Sequence, residues 1–335
     1  MQEKNLMPPP STPPGMEIRL YRPRDYAAMS SLFTEVFKEP MSATFHAWKY
    51  RPGKSGAVVV LRDGELVAHY GGVGSAVLLR GEESSAMQIV DVMVKATARQ
   101  GVRGSSPFFL AGSRFLEQFI GNEQPWRLGY GFPSDRHMRL AAHLGLYAPV
   151  GRMLELSWPS ATVARALPWY WRVDTLSLDN VAHHGKALDT LWNAMRQDLT
   201  QACAVIKDYA WLRWRYLEHP ERQYDLRLLR RRLDGRPLGL AVFKREASRW
   251  LLLDVIAPKR HIAALVGLVA AEANAVGVAT VATWCSRAFV SWFPHEQAAV
   301  SELPIVTPAN IWTPGPAPQT LEELWWLLPG DTDFL

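Results

Sequence analysis

Cysteine is nearly absent, with two residues in a chain of 335. Cys203 and Cys285 are too few and too far apart for a disulfide framework or a zinc site, and a reducing cytoplasm is the natural compartment. Charge of one sign is also scarce: 37 Lys and Arg against 32 Asp and Glu leave a formal excess of +5. That suits an anionic small ligand and is too dilute for a nucleic-acid footprint. No apolar run approaches the roughly 20 residues of a membrane span. The longest candidate, Ala263 to Val281, is interrupted by Glu272 and Asn274. Several chemistries have no motif here: no H-E-x-x-H, no C-x-x-C, no G-x-S-x-G. Gly53-Lys54-Ser55 imitates the end of a P-loop, yet Trp48 stands where its first glycine belongs. His183-His184 reads as a solvated turn, so no metal is expected.

Fourteen Trp, spread from Trp48 to Trp326, and 48% apolar residues mark a packed globular protein of about two domains. Residues 1–16, with five prolines between Pro8 and Gly15, read as an extended tail. Ile18–Tyr21 alternates as a strand. Asp25 opens a helix that puts Met29, Leu32, Phe33 and Val36 on one face. Ala57–Leu61 and Leu66–Leu79 flank Asp63-Gly64, a hairpin signal. Met87–Val94 is a further strand. Ser106-Pro107 starts a helix that Gly121 ends, Arg127–Phe132 is a strand, and Ser134 starts a helix ending at Gly145. A last strand runs from Gly151 to Ser157.

The second half repeats this plan. Trp48-Lys49-Tyr50 returns as Trp214-Arg215-Tyr216, Asp63-Gly64 as Asp234-Gly235, and the strand ending Asp91-Val92 as the strand ending Asp254-Val255. Three matches kept in order predict a diverged duplication. The expected divisions are 17–157, a linker at 158–180 and 181–335. Trp169-Tyr170-Trp171 in the linker cannot all face one core, so some of them are expected to pack between the domains. Five arginines between Arg227 and Arg236 read as a solvated strand face.

Val92-Met93-Val94 lead through Arg99, Gly101, Val102, Arg103, Gly104 and Ser105 into a Pro-initiated helix. A glycine-bearing loop at a helix N-terminus offers backbone N–H groups and a favourable dipole to an anion, and the two arginines add charge. With Gly131-Phe132-Pro133-Ser134 and Leu144-Gly145-Leu146-Tyr147, this layout resembles the GNAT superfamily of N-acetyltransferases; residues 208–335 resemble a second, degenerate unit. The resemblance implies an α/β (α+β) fold of two tandem GNAT-like domains, each a mixed, mostly antiparallel sheet flanked by helices. It implies acetyl-CoA as co-substrate, with its pyrophosphate on that loop and its pantetheine along Val92–Val94 between splayed strands. The chain departs from the superfamily loop Q/R-x-x-G-x-G/A: if Gly101 is the first glycine, Ala98 holds the Q/R position and Arg103 the second small position.

Acyl transfer to an amine needs a base and a donor for the leaving thiolate. Tyr147 is the candidate acid. Asp91, inside an apolar strand, is the candidate base, or else a structural group, as its counterpart Asp254 suggests. In the second half Ala257-Pro258-Lys259-Arg260 carries no glycine, so a phosphate cradle is not expected there. The expected function is acyl-CoA-dependent N-acyl transfer to a small-molecule, sugar or peptide amine, without nucleic acid or membrane partners and with no oligomeric state specified. A non-catalytic scaffold and an aminoacyl transferase on the same duplicated fold are the alternatives.

Overall fold

The computed structural model describes residues 13–99 and 105–335. The described chain divides into two compact units: residues 13–75, 85–99, 105–149 and 308–318 form unit 1, and residues 76–84, 150–307 and 319–335 form unit 2.

Unit 1 starts with β1 (Met16–Leu20), α1 (Tyr26–Phe37) and α2 (Ala43–Lys49), then β2 (Ser55–Arg62), β3 (Glu65–Leu79) and β4 (Glu82–Val94). α3 (Pro107–Phe119), β5 (Leu128–Tyr130), α4 (Asp135–His143) and the start of β6 (Tyr147–Pro159) follow. The sheet order is β1-β2-β3-β4-β5. β1–β2 and β2–β3 are antiparallel, and β4–β5 is parallel. The Asp63-Gly64 turn is as expected, with both residues at positive φ between the paired Arg62 and Glu65. A second turn of the same kind, Arg80-Gly81 at φ +51° and +87°, joins β3 to β4. It had no signature, because arginine is an unusual residue for that conformation. Gly71-Gly72 do not break β3. They admit neighbours instead: a Cβ on Gly72 would strike Met87 and Phe115, and one on Gly71 the Tyr50 hydroxyl.

α3 covers one face of this sheet, with Phe115 against Tyr70 at 5.0 Å between rings. α1 covers the other, where Met29 and Leu32 pack with Val59, Leu66 and Met93. Met87 belongs to the α3 face and Met93 to the α1 face, although an even spacing should put both on one side. The reason lies at Asp91, whose φ of +49° inserts a bulge and reverses the alternation.

Unit 2 takes β6 from Val150 onward, then α5 (Ser160–Val163), β7 (Trp171–Leu176), α6 (Gly185–Met195), β8 (Cys203–Val205) and α7 (Tyr209–Leu212). β9 (Asp225–Arg231), β10 (Pro237–Arg245), β11 (Trp250–Ile256), α8 (Lys259–Ala275) and β12 (Thr280–Ser286) follow, then β13 (Ala299–Asn310), α9 (Pro318–Leu321) and β14 (Trp325–Trp326). Its sheet order is β13-β6-β12-β11-β10-β9-β7, antiparallel at β7–β9–β10–β11 and β12–β6 and parallel at β11–β12. α8 buries Ile262, Leu265, Val266 and Val269 completely. The duplication is visible in the topology: each unit has a run of antiparallel strands ending in one parallel pair, with a long helix between the paired strands.

The expected boundaries differ from these units. β6 runs across position 157 and most of it joins the second sheet, and residues 171–176 of the expected linker are its edge strand. Alternation identifies a strand but not the sheet that takes it. Of the three linker aromatics Trp169 is 84% exposed and Trp171 packs against the core of unit 2, whereas Trp158, Trp325 and Trp326 are buried. Of the expected tail, residues 1–12 lie outside the described residues.

Candidate active site

In unit 1 the parallel pairing runs only from Ala86 opposite Leu128 to Gln88 opposite Tyr130. β5 ends there, and among the described residues β4 continues beyond it through Ile89–Val94 without a β5 partner. The strands part at Gly131, where a Cβ would meet the Ile89 carbonyl at 3.3 Å. The opening lies at the C-terminal ends of two parallel strands, where α/β folds place ligands. Two helices begin after those ends. Ser106 caps α3, accepting from Phe109 N at 3.3 Å, and Ser134 caps α4, accepting from His137 N at 3.4 Å. Arg99 is exposed; its Nε donates to the Val94 carbonyl at 3.3 Å. The His137 imidazole is shifted down by burial and by the charges of Arg136 and Arg99, so Arg99 stands near the start of α4. Val92, Met93 and Val94 lie on β4 beyond its pairing with β5, Met93 buried in the core under α1, while Arg99 reaches back to Val94 and Ser105 precedes the cap of α3. Gly101, Val102, Arg103 and Gly104 lie outside the described residues.

The bulge at Asp91 is pinned from below. Lys49 Nζ donates to Asp91 Oδ1 at 2.7 Å and the Tyr50 hydroxyl to Oδ2 at 2.5 Å. His69 Nδ1 sits 2.8 Å from the Asp91 carbonyl. Burial alone would raise the Asp91 carboxyl; the charge and hydrogen bond of Lys49, with Tyr50, override it and hold the group below the ordinary range. Both oxygens are engaged by the chain itself, and a carboxylate so stabilised is a poor proton acceptor. The expectation of a base therefore gives way to the structural alternative. Tyr147 is buried, and its hydroxyl lies 2.5 Å from that of Tyr70. Tyr70 projects to the α3 side of β3, so Tyr147 and Asp91 sit on opposite faces of the sheet and are not brought together. Burial, then Tyr70, pushes the Tyr147 hydroxyl well above its ordinary value, which keeps it a donor.

Unit 2 repeats the pinned bulge. Tyr216 donates to Asp254 Oδ2 at 2.8 Å, as Tyr50 does to Asp91. β11 pairs Asp254 with Val242 and Leu252 with Phe243, leaving Leu253 as the extra residue. Lys207, from outside the repeated motif, neutralises Asp254 at 2.8 Å and Asp331 at 2.9 Å. Burial raises the Asp254 carboxyl against the pull of Lys207, and the nearby Asp331 adds to it, to about 6. The β11–β12 pair also parts early, after Leu251 opposite Ala282. Here the chain fills the gap: the segment from Trp325 to Asp331 packs against both strands, and a Cβ on Gly330 would come within 2.9 Å of the Leu253 carbonyl. At the start of α8 the Asp198 carboxylate accepts from Lys259 N at 2.7 Å, taking the place of an external anion. Sequence reasoning missed the Lys207–Asp331 pair and the Asp198 cap, since contacts between distant segments leave no local pattern.

Among the described residues no group of His, Cys, Asp and Glu is arranged to hold a metal ion, and no helix is long and apolar enough to cross a membrane.

Residues 17–106 match the family described as the acetyltransferase (GNAT) domain. Comparison with curated proteins finds no match. Among solved structures, a protein from Enterococcus faecalis V583 described as a probable N-acyltransferase superposes with a TM-score of 0.70 at 15% identity, over 91% of this chain and 74% of that one. A GCN5-related N-acetyltransferase from Kribbella flavida gives 0.62 at 15% identity, over 88% and 71%. A tandem GNAT protein from the clavulanic acid biosynthesis pathway gives 0.55 at 11% identity, over 90% and 99%. At such identities the likeness speaks for the fold, and it agrees with the repeated topology: the chain has the fold of the tandem GNAT proteins, with the family match confined to residues 17–106.

Proposed function

We propose that the protein is an acyl-CoA-dependent N-acyltransferase whose donor site is in unit 1. The observation that carries this is the contrast between the two parted strand pairs, one filled by the chain's own C-terminal segment and one bordered by an open strand edge, Ile89–Val94. Acetyl-CoA would supply the acyl group as a thioester. The edge of β4 offers backbone groups to its amides, and the start of α3 with Arg99 offers positive charge to its phosphates. Tyr147, kept protonated by burial and held by Tyr70, is the hydroxyl assigned to the leaving sulfur. The acceptor is a small-molecule, sugar or peptide amine. Two buried, unpaired cysteines support a reducing, cytoplasmic setting.

Isothermal calorimetry provides the test. Acetyl-CoA and CoA are expected to bind with a stoichiometry of one, because the second opening is filled. No heat at millimolar ligand with folded protein refutes the proposal. Binding with no transfer to any amine, and with Tyr147→Phe indistinguishable from the parent, would favour the non-catalytic scaffold.

A further inference from the structure

Two connections of unit 2 meet at the edge of its sheet, where β7 is the last strand. The register that sets Trp171 opposite Arg231 continues one step outward. There Arg232 N donates to the Tyr170 carbonyl at 2.7 Å, and Arg232 Nε to the Trp171 carbonyl at 2.8 Å. The next residues out along the two chains are Trp169 and Leu233. At 84% and 92% exposure they are the two most exposed large apolar side chains among the described residues, and Tyr170 between them and the strand is also exposed. Backbone bonds fix the turn that carries Leu233: Arg231 N donates to the Arg236 carbonyl at 2.9 Å and Gly235 N to the Arg231 carbonyl at 3.0 Å. Both apolar tips are thus presented by hydrogen-bonded chain, side by side.

The arginines from Arg227 to Arg236 do not form the single solvated face expected of them. Arg227 is buried against Glu272 at 2.9 Å, Arg230 donates to the Gly235 carbonyl at 2.7 Å, and Arg231 is joined to Asp234. Arg232 and Arg236 remain exposed, and among the described residues neither has an acidic partner. Arg260, exposed at the start of α8, is in the same condition. Arg236 and Arg260 stand near the His261 ring, whose imidazole is lowered by burial and then by their two charges. That ring meets Trp171 edge-on at 6.0 Å. Three uncompensated guanidinium groups therefore gather around Trp171, at the foot of the apolar tips. The acids of this edge are already committed: Asp234 to Arg231, and Asp174 to Arg172 and Arg230 at 3.7 Å each.

We propose that this edge is a peripheral docking surface for an anionic lipid bilayer, with Trp169 and Leu233 entering the headgroup boundary and Arg232, Arg236 and Arg260 resting on lipid phosphates. An apolar tip gains by leaving water, and tryptophan and tyrosine suit the boundary between headgroups and acyl chains. The guanidinium groups are free to make charge-assisted bonds to phosphate, and a negative surface potential draws them in. A second copy of the chain fits this surface poorly, because the arginines would face their own likeness. A single-stranded nucleic acid would engage the arginines and Trp169 but gives no part to Leu233, the most exposed side chain of the set. The expectation of no membrane partner rested on the lack of a spanning segment, and a surface contact needs none. The surface is independent of the acyltransferase reading.

Vesicle flotation of the full chain tests it, on vesicles of phosphatidylcholine alone and on vesicles in which a third of the lipid is phosphatidylglycerol. In about 0.1 M salt the parent is expected to partition onto the anionic vesicles about tenfold or more better than onto the neutral ones, and to come off towards about 1 M as screening shortens. Arg236→Gln/Arg260→Gln should weaken binding to anionic vesicles about tenfold or more. Trp169→Ser/Leu233→Ser should weaken it about as much, although no charge changes. Both double variants alter exposed side chains, so each should keep the Tm of the parent. A parent that does not float with anionic vesicles overturns the proposal, as does undiminished binding by Trp169→Ser/Leu233→Ser. Binding to poly-glutamate in place of vesicles also overturns it, and would assign the arginines to an acidic protein partner. No acyl donor enters the assay, so its outcome leaves the transferase reading untouched.

Discussion

Replacing Lys49 by methionine tests whether Asp91 is a structural pillar. The two side chains are buried, at 4% and 3% exposure, and joined at 2.7 Å. Methionine keeps much of the lysine's volume and removes its charge, so the change leaves a carboxylate in the interior with Tyr50 as its remaining acidic-hydrogen donor. Breaking a buried pair on one side costs about 3–5 kcal/mol, a large part of a typical total of about 5–15. The sign with pH is specific. In the parent the Asp91 carboxyl is lowered on folding, so it contributes stability above its unfolded value of about 3.9, lost as pH falls through the folded value. In Lys49→Met burial outweighs the remaining Tyr50 hydrogen bond and raises it, so the variant loses stability as pH rises above about 4. The deficit should therefore be largest near pH 7 and shrink towards pH 4. Asparagine at 91 tolerates the positive φ, so Lys49→Met/Asp91→Asn should cost less than the two single changes combined, by about 2 kcal/mol. Urea unfolding followed by tryptophan fluorescence at pH 4, 5.5 and 7 measures all of this. A deficit under about 1 kcal/mol at pH 7, or one that does not vary with pH, refutes the pillar.

Two further outcomes concern unit 2. The Asp254 carboxyl, raised to about 6, favours the folded state while protonated, so its contribution falls as pH rises from about 4 through 6. Asp331→Asn removes the like charge that helps raise it and should flatten that dependence; an unchanged pH–stability profile would contradict the assignment. Asp198→Ala removes the carboxylate from the first turn of α8 and should cost about 0.5–2 kcal/mol, read as a lower Tm. It should create no second CoA site, because the segment from Trp325 to Asp331 still fills the parted strands, and a calorimetric stoichiometry of two would be the contrary result.

Legibility in the sequence depended on the range of the interaction. Ser106, Ser134 and Asp63-Gly64 announced themselves because caps and hairpin turns are settled by three or four neighbouring residues. The repeat was legible because its markers kept their order. The destination of β6 was not, because alternation in Tyr147–Pro159 is satisfied equally by either sheet. Asp91 stood out as a polar group in an apolar strand, and that anomaly was real. Its meaning lay with Lys49 and Tyr50, some forty residues earlier, which in the sequence stand out only as markers of the repeat. Tyr147 likewise drew attention by position, while its partner Tyr70 stood hidden in a strand with no polar pattern.

A parted pair of parallel strands is costly, because each strand edge carries N–H and C=O groups that must find partners when buried. Both units incur this cost at the same place, beside a bulge fixed by a tyrosine–aspartate contact. Unit 2 offsets it internally: Leu327, Leu328 and Gly330 bury themselves there, and Asp331 ties the segment to Lys207. That filling turns an opening into a core, and it is consistent with the replacement of an anion at α8 by Asp198. Unit 1 retains the opening, and the strand edge beyond Gln88 faces no residue of β5. A ligand with its own amide groups can complete that edge as a strand would, and a charged end can rest on the start of α3. The two halves thus treat one inherited geometry differently, with one copy closed by the chain's own segment and the other leaving β4 unpaired by β5 beyond Gln88.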